Sequence, residues 1–173
     1  MMCELKAAIF MAMLVFTASC SVISSQVRKE AEPPVEFKKL MRETNSYIGK
    51  TVIMGGYILQ TEKLADKMYI LALQAPLGFR YEPKSKDKSE GRFIVLHKDF
   101  LDPAVYKKWR KITVAGNVVG LTTADDERCP NKCLNIESRE IHLWPEYYYQ
   151  RARYYPYGDP PYPPRLFPYD PTW

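Results

Sequence analysis

The first strong pattern along the chain is an uninterrupted run of apolar and small residues, Ala7 to Ala18, preceded by the charged stretch Met1 to Lys6 and ended by Ser19-Cys20. A helix needs about 20 apolar residues to cross a bilayer. This run is much shorter, so it predicts an export signal over residues 1–19 and not a membrane span. Residues 20–34 are polar, charged, without sustained periodicity and closed by Pro33-Pro34, which predicts a tether that holds the domain off the bilayer. Phe37, Leu40, Met41 and Thr44 then recur at i, i+3, i+4 and i+7, the mark of a short helix with one apolar face, ended near Gly49. Five runs rich in Val, Ile, Leu, Thr and Tyr predict strands: Thr51 to Gln60, Met68 to Gln74, Arg92 to His97, Lys111 to Val119 and Leu134 to Trp144. Gly55-Gly56 and Gly116 fall inside those runs, where glycine marks a bulge, a sharp coil or a close backbone crossing. Between the third and fourth strands, Asp102 as an N-cap, Pro103 as a first helical residue and the i, i+4 pair Val105/Trp109 predict one more short helix.

Five strands with a helix after the third is the chain order of the oligonucleotide/oligosaccharide-binding (OB) barrel. The predicted fold is therefore mainly β, a small five-stranded OB-like barrel with one or two short helices over residues 35–146, with a small sandwich as the alternative. The polar connections Gly78 to Glu90 and Gly120 to Lys132 are expected as surface loops. Residues 147–173 differ from everything before them, with Tyr147-Tyr148-Tyr149, Tyr154-Tyr155-Pro156-Tyr157, Pro160-Pro161-Tyr162-Pro163-Pro164 and Phe167-Pro168-Tyr169. Repeated proline excludes a regular helix or central strand and favours an extended, ring-bearing tail. Two readings of it stand side by side: it packs over the barrel, or it engages a partner or the membrane interface, where Tyr and Trp are favoured.

The end of the apolar run adds chemistry. Thr17-Ala18-Ser19-Cys20 places small residues immediately before a cysteine, as in the box read by lipoprotein-processing enzymes, with Thr17 where such boxes usually carry Leu. The Cys20 thiolate is then the nucleophile that accepts a diacylglyceryl group. The alternative is ordinary cleavage that leaves Cys20 a free thiol. Each buried CH₂ contributes about 0.8 kcal/mol, so several acyl chains on one residue make detachment negligible. Ser21, and not Asp, follows the cysteine, which by the sorting rule of bacterial lipoproteins directs the chain to the outer membrane, on its periplasmic leaflet. The formal charge of +5 is mild and names no partner, and cleavage removes Glu4 and Lys6 together. The expected partners are outer-membrane lipid through the anchor and an envelope protein or peptidoglycan. Export takes nucleic acid out of reach.

Tyr47-Ile48-Gly49-Lys50, Gly55-Gly56-Tyr57-Ile58, Gly91-Arg92-Phe93 leading to Phe100-Leu101-Asp102-Pro103, Val114-Ala115-Gly116 with Gly120, and Ile141-His142-Leu143-Trp144 together resemble the Slp family of outer-membrane lipoproteins. The resemblance runs from the signal through about Trp144. It implies outer-membrane location and a link to starvation or stationary-phase stress, and it implies no established activity or ligand. The segment Cys129-Pro130-Asn131-Lys132-Cys133 departs from that pattern, so nothing functional carries over to its cysteines.

Cys129 and Cys133 bracket a Pro-Asn turn, and in an oxidising compartment they can close a small disulfide loop. Free thiols are one alternative. A metal site with His142 is another, although the second half of a zinc-ligand pattern is missing. No catalytic residue is expected: His97 and His142 each stand in a strand pattern with no nucleophile or orienting carboxylate at a motif spacing. Asp125-Asp126-Glu127 lacks the alternating ligands and glycine turn of a calcium loop. No metal and no cofactor beyond the lipid on Cys20 are expected. Lys84, Lys86, Lys88 and Arg92 form a candidate patch for an anionic polymer, set against the plainer reading of a solvated loop.

Overall fold

The five strands form because alternate residues find one common interior. Val52, Met54 and Ile58 from β1 (Thr51–Leu64), Met68, Ile70 and Ala72 from β2 (Lys67–Ala75), Phe93 and Val95 from β3 (Arg92–His97), Ile112, Val114 and Val118 from β4 (Lys111–Leu121), and Leu134 and Ile136 from β5 (Leu134–Leu143) share one buried cluster. That is the period-2 alternation of a half-buried strand closed on itself. The computed structural model describes residues 21–122, 129 and 132–146. The export signal, Cys20, Asp125-Asp126-Glu127 and the tail over 147–173 lie outside the described residues.

The strands close a barrel in the order β1-β2-β3-β5-β4, in which β3 and β5 run parallel and the other pairs antiparallel. This is the expected OB-like arrangement of five strands. Closure at small radius needs glycine where backbones cross. A Cβ on Gly116 would stand 2.4 Å from the Glu137 carbonyl oxygen, and one on Gly56 would stand 2.4 Å from that of Leu73. The helix α2 (Phe37–Arg42) sends Phe37 and Leu40 into the same core, and Thr44 closes its end by donating its hydroxyl to the Leu40 carbonyl at 2.8 Å.

Two expectations are corrected. Of the tether expected over 20–34, the described residues 21–34 are not free: Ser24 caps a helix α1 (Ser25–Glu30) by accepting from the Val27 N–H, and Ile23 and Val27 are buried against Ala115 of β4 with half-buried Val22 and Ile53. Ala31 then bridges Thr51, and the Glu32 N–H donates to the Thr51 carbonyl at 2.8 Å. Val27 is the one apolar residue among the six of this helix, so no periodicity can be read, which is why the polar composition misled. The helix expected at Asp102 to Trp109 is also not formed. Asp102 makes one turn, accepting from the Ala104, Val105 and Tyr106 N–H groups, but the Tyr106 carbonyl accepts from the Thr61 hydroxyl at 2.7 Å. Trp109, at φ 71°, turns its N–H onto the Ile58 carbonyl at 2.7 Å, so the segment is strapped to β1 and a helix cannot propagate.

Candidate functional site

The helix α2 lies against the first residues of β3 only because Gly91 has no side chain: at φ 151° a Cβ there would meet the Phe37 ring at 2.8 Å. Beside that contact opens a crevice of about 550 Å³. Its floor is Phe37, Met41 and Leu73, and its walls carry Lys38 and Arg42 from α2, Arg92 from β3 and Lys132 from the β4–β5 connection. Lys38 and Arg42 share a helix face because they are four residues apart. Among the described residues one carboxylate stands against these four cations, Glu90, whose Oε2 accepts the Lys38 N–H at 3.3 Å while its Oε1 lies 3.8 Å from the Lys38 ammonium. The Glu90 N–H is fixed in turn on buried Gln74, at 2.9 Å. Among the described residues the crevice is an apolar shelf with a net positive rim. Such a surface suits a flat apolar group bearing carboxylates or phosphates.

Of the patch expected from sequence, only Arg92 lines this crevice. Lys84, Lys86 and Lys88 are exposed elsewhere: the Lys84 carbonyl accepts from the Tyr57 hydroxyl at 2.8 Å, and the Lys86 ammonium sits 4.5 Å over the Trp109 ring. The connection carrying them is also less free than a plain surface loop, since Leu77 and Pro83 bridge each other over Gly55 and the Tyr81 carbonyl accepts from Thr113. Lys38, Arg42 and Lys132 were not singled out by sequence. The spacing of the first two was a signal, but their convergence with Lys132 is tertiary.

The outer face of β2 and β3, which in OB barrels carries ligand together with the neighbouring loops, is covered at its centre. Cys129 and Cys133 are joined as a disulfide with Cα atoms 5.9 Å apart and lie buried on Tyr69, Leu71 and Ile94, with Leu59 and Leu96 beside them. The Cys133 N–H donates to the Thr122 hydroxyl at 2.9 Å. A sulfur pair so engaged offers no thiolate to a metal, and His142 is occupied elsewhere, edge-on to Trp144 at 4.8 Å. Among the described residues no group of three or more His, Cys, Asp or Glu side chains could hold a metal ion.

Ser138, His97 and Asp99 stand in a row that superficially resembles a nucleophile, base and orienting acid. The Ser138 hydroxyl lies 2.7 Å from His97 Nδ1 and 3.1 Å from the Leu96 carbonyl, and the tautomer of the imidazole sets the direction of the first contact. The acid is not within hydrogen-bond reach to orient the ring. The far nitrogen, Nε2, is 3.8 Å from the exposed Asp99 carboxylate. Burial holds the His97 pKa below its ordinary 6.5, with Asp99 opposing that shift, and burial lowers His142 as well.

The family model described as "Outer membrane lipoprotein Slp family" matches residues 17–173. An uncharacterized protein of Haemophilus influenzae is 29% identical over 142 residues, covering 76% of this chain and 75% of that protein. Among solved structures, the N-terminal domain of PriB protein from Thermoanaerobacter tencongensis matches 56% of this chain and 97% of its own at 12% identity and TM-score 0.33. An aspartyl tRNA synthetase from Entamoeba histolytica matches 66% of this chain at 9% identity and TM-score 0.42, and the chain spans only 22% of that enzyme.

Proposed function

Because the chain belongs to the outer membrane lipoprotein Slp family, we propose that it is a non-enzymatic recognition module of the cell envelope, held by diacylglyceryl Cys20 on the periplasmic leaflet of the outer membrane. It needs no metal and no cofactor besides that lipid, and it acts in starvation or stationary-phase stress, as the family resemblance implies. Its ligand is a carboxylate-bearing glycan, the peptidoglycan. The observation that carries this reading is the crevice at α2 and β3, where Lys38, Arg42, Arg92 and Lys132 surround the shelf of Met41 and Leu73. Sugar rings have apolar faces for such a shelf, and peptidoglycan stem peptides supply carboxylates for the cations. Nucleic acid is not proposed as a ligand, because the export signal removes it and the disulfide loop covers the centre of the β2–β3 face.

Co-sedimentation of the soluble Cys20→Ser protein with purified peptidoglycan sacculi tests the ligand. The protein should pellet with sacculi, and Arg92→Glu with Lys132→Glu should leave it in the supernatant. Recovery of both forms in the same fraction would defeat the crevice reading. The anchor is tested separately by the mass of the wild-type N-terminal peptide, where an unmodified Cys20 would defeat the lipid attachment.

A further inference from the structure

The segment that follows Cys20 bears on how the barrel sits on a membrane. Two residues, Ser21 and Val22, separate Cys20 from Ile23, which is 0% exposed. Three steps of chain reach at most about 11 Å. Ile23 and Val27 are buried on Ala115 of β4, flanked by Ile53 of β1, and the Ser24 N–H donates to Glu140 Oε2 of β5 at 2.8 Å. Arg139, at a shift in the β4–β5 register, adds a second tie by donating to Glu30 of α1 and to the Thr51 hydroxyl. The lipid-bearing position therefore lies within about 11 Å of a residue buried beside the outer face of β4, between β1 and β5.

The ring order then settles what faces the other way. In β1-β2-β3-β5-β4, the neighbours of β4 are β1 and β5, and the strands that do not touch it are β2 and β3. Those two carry the face covered by the disulfide loop and contribute Leu73 and Arg92 to the crevice. We propose that the domain has one fixed orientation, resting its β1–β4–β5 side and α1 on the outer-membrane lipid surface and presenting β2, β3 and the crevice toward the cell wall. The occupant of the β4 side is the lipid surface itself, because a chain clamped this close to its acyl groups cannot hold the barrel away from the headgroups. Around the clamp Arg139 pairs with Glu30 and Lys50 with Glu32 at 3.4 Å, and Arg28 and Lys29 in the last turn of α1 add positive charge suited to anionic headgroups. This inference rests on lipid attachment at Cys20, and its test separates the two.

A fluorescent amino acid that adds no thiol is placed either at exposed Ser25, on α1, or at exposed Arg92, on β3, in the full mature chain. The lipidated protein is reconstituted in phosphatidylethanolamine/phosphatidylglycerol vesicles containing a headgroup nitroxide lipid. The probe at Ser25 should be quenched several-fold more than the probe at Arg92. Inserting a dozen Gly/Ser residues between Cys20 and Ser21 should erase that contrast while leaving the circular dichroism spectrum unchanged. Equal quenching at both positions without the insertion would overturn the fixed orientation. The mass of the N-terminal peptide is checked first: an unlipidated chain counts against the anchor, and coupling Cys20 to a maleimide lipid still reads the orientation by the same contrast.

Discussion

Ile23→Ala is the perturbation that most directly tests whether residues 21–31 belong to the folded domain. Ile23 is fully buried in a cluster with Val27 and Ala115. Truncating a buried Ile to Ala costs about 2–5 kcal/mol through lost transfer energy and the residual cavity. Val22 and Ile53, which line the same site, are only partly buried, so the wall can relax and the low end applies, about 2–3 kcal/mol. A further cap exists: the segment precedes the barrel in sequence and can detach on its own, so the loss cannot exceed its docking free energy. At roughly 4 °C per kcal/mol for a domain of this size, Tm should fall by about 8–12 °C. Urea unfolding and calorimetry of the soluble Cys20→Ser protein measure both, with Ile48→Ala as the control, since Ile48 is 53% exposed and should shift stability by about 0.5 kcal/mol or less. If Ile23→Ala behaves like that control, α1 is not docked, and the inferred orientation fails with it.

Reducing Cys129–Cys133 should cost about 2 kcal/mol, because the closed loop is short, and should leave the barrel folded; melts with and without reductant, beside thiol alkylation, measure it. Gly116→Ala should destabilise by about 1–3 kcal/mol or prevent folding, because the methyl group meets the Glu137 carbonyl, and denaturant midpoints check this. Acid should weaken the fold in two windows. The lowered pKa values of His97 and His142 mean that the unfolded chain binds protons first, so their contribution is full above about pH 6.5 and is lost as pH falls through their folded values. Glu30, lowered by its hydrogen bond to Arg139, and Glu137, lowered by that to Lys67, add a second loss that begins below about 4.5. Stability measured from pH 8 to 4 should therefore fall monotonically on the acid side, and His97→Asn with His142→Asn should flatten the segment between pH 7 and 5.

The sequence by itself determined the five strands and their glycines, because a closed sheet leaves a period-2 trace and a backbone crossing admits no Cβ. Arg92–His97 was bounded to the residue, and the other strands were displaced only at their ends: β1, β2 and β4 pair past the expected limits, as at Gln60 to Leu64 of β1, and β5 stops at Leu143, one residue before the expected Trp144. The helical face of Phe37, Leu40 and Met41 was legible for the same reason, period 3.6. Only the tertiary structure decided what those elements do to one another. Arg92 was visible as a cation, but the crevice exists because α2 presents Lys38 and Arg42 to the same opening as Lys132, which is 90 residues from Arg42 (132 − 42). The docking of Ile23 on Ala115 and the strapping of Asp102 to Trp109 onto β1 were likewise invisible, since each replaces a weak local preference with a contact between distant segments. Local pattern records which side of an element is apolar. Which distant surface covers that side, and which charges meet beside it, is set by barrel closure and by the ring order of its strands.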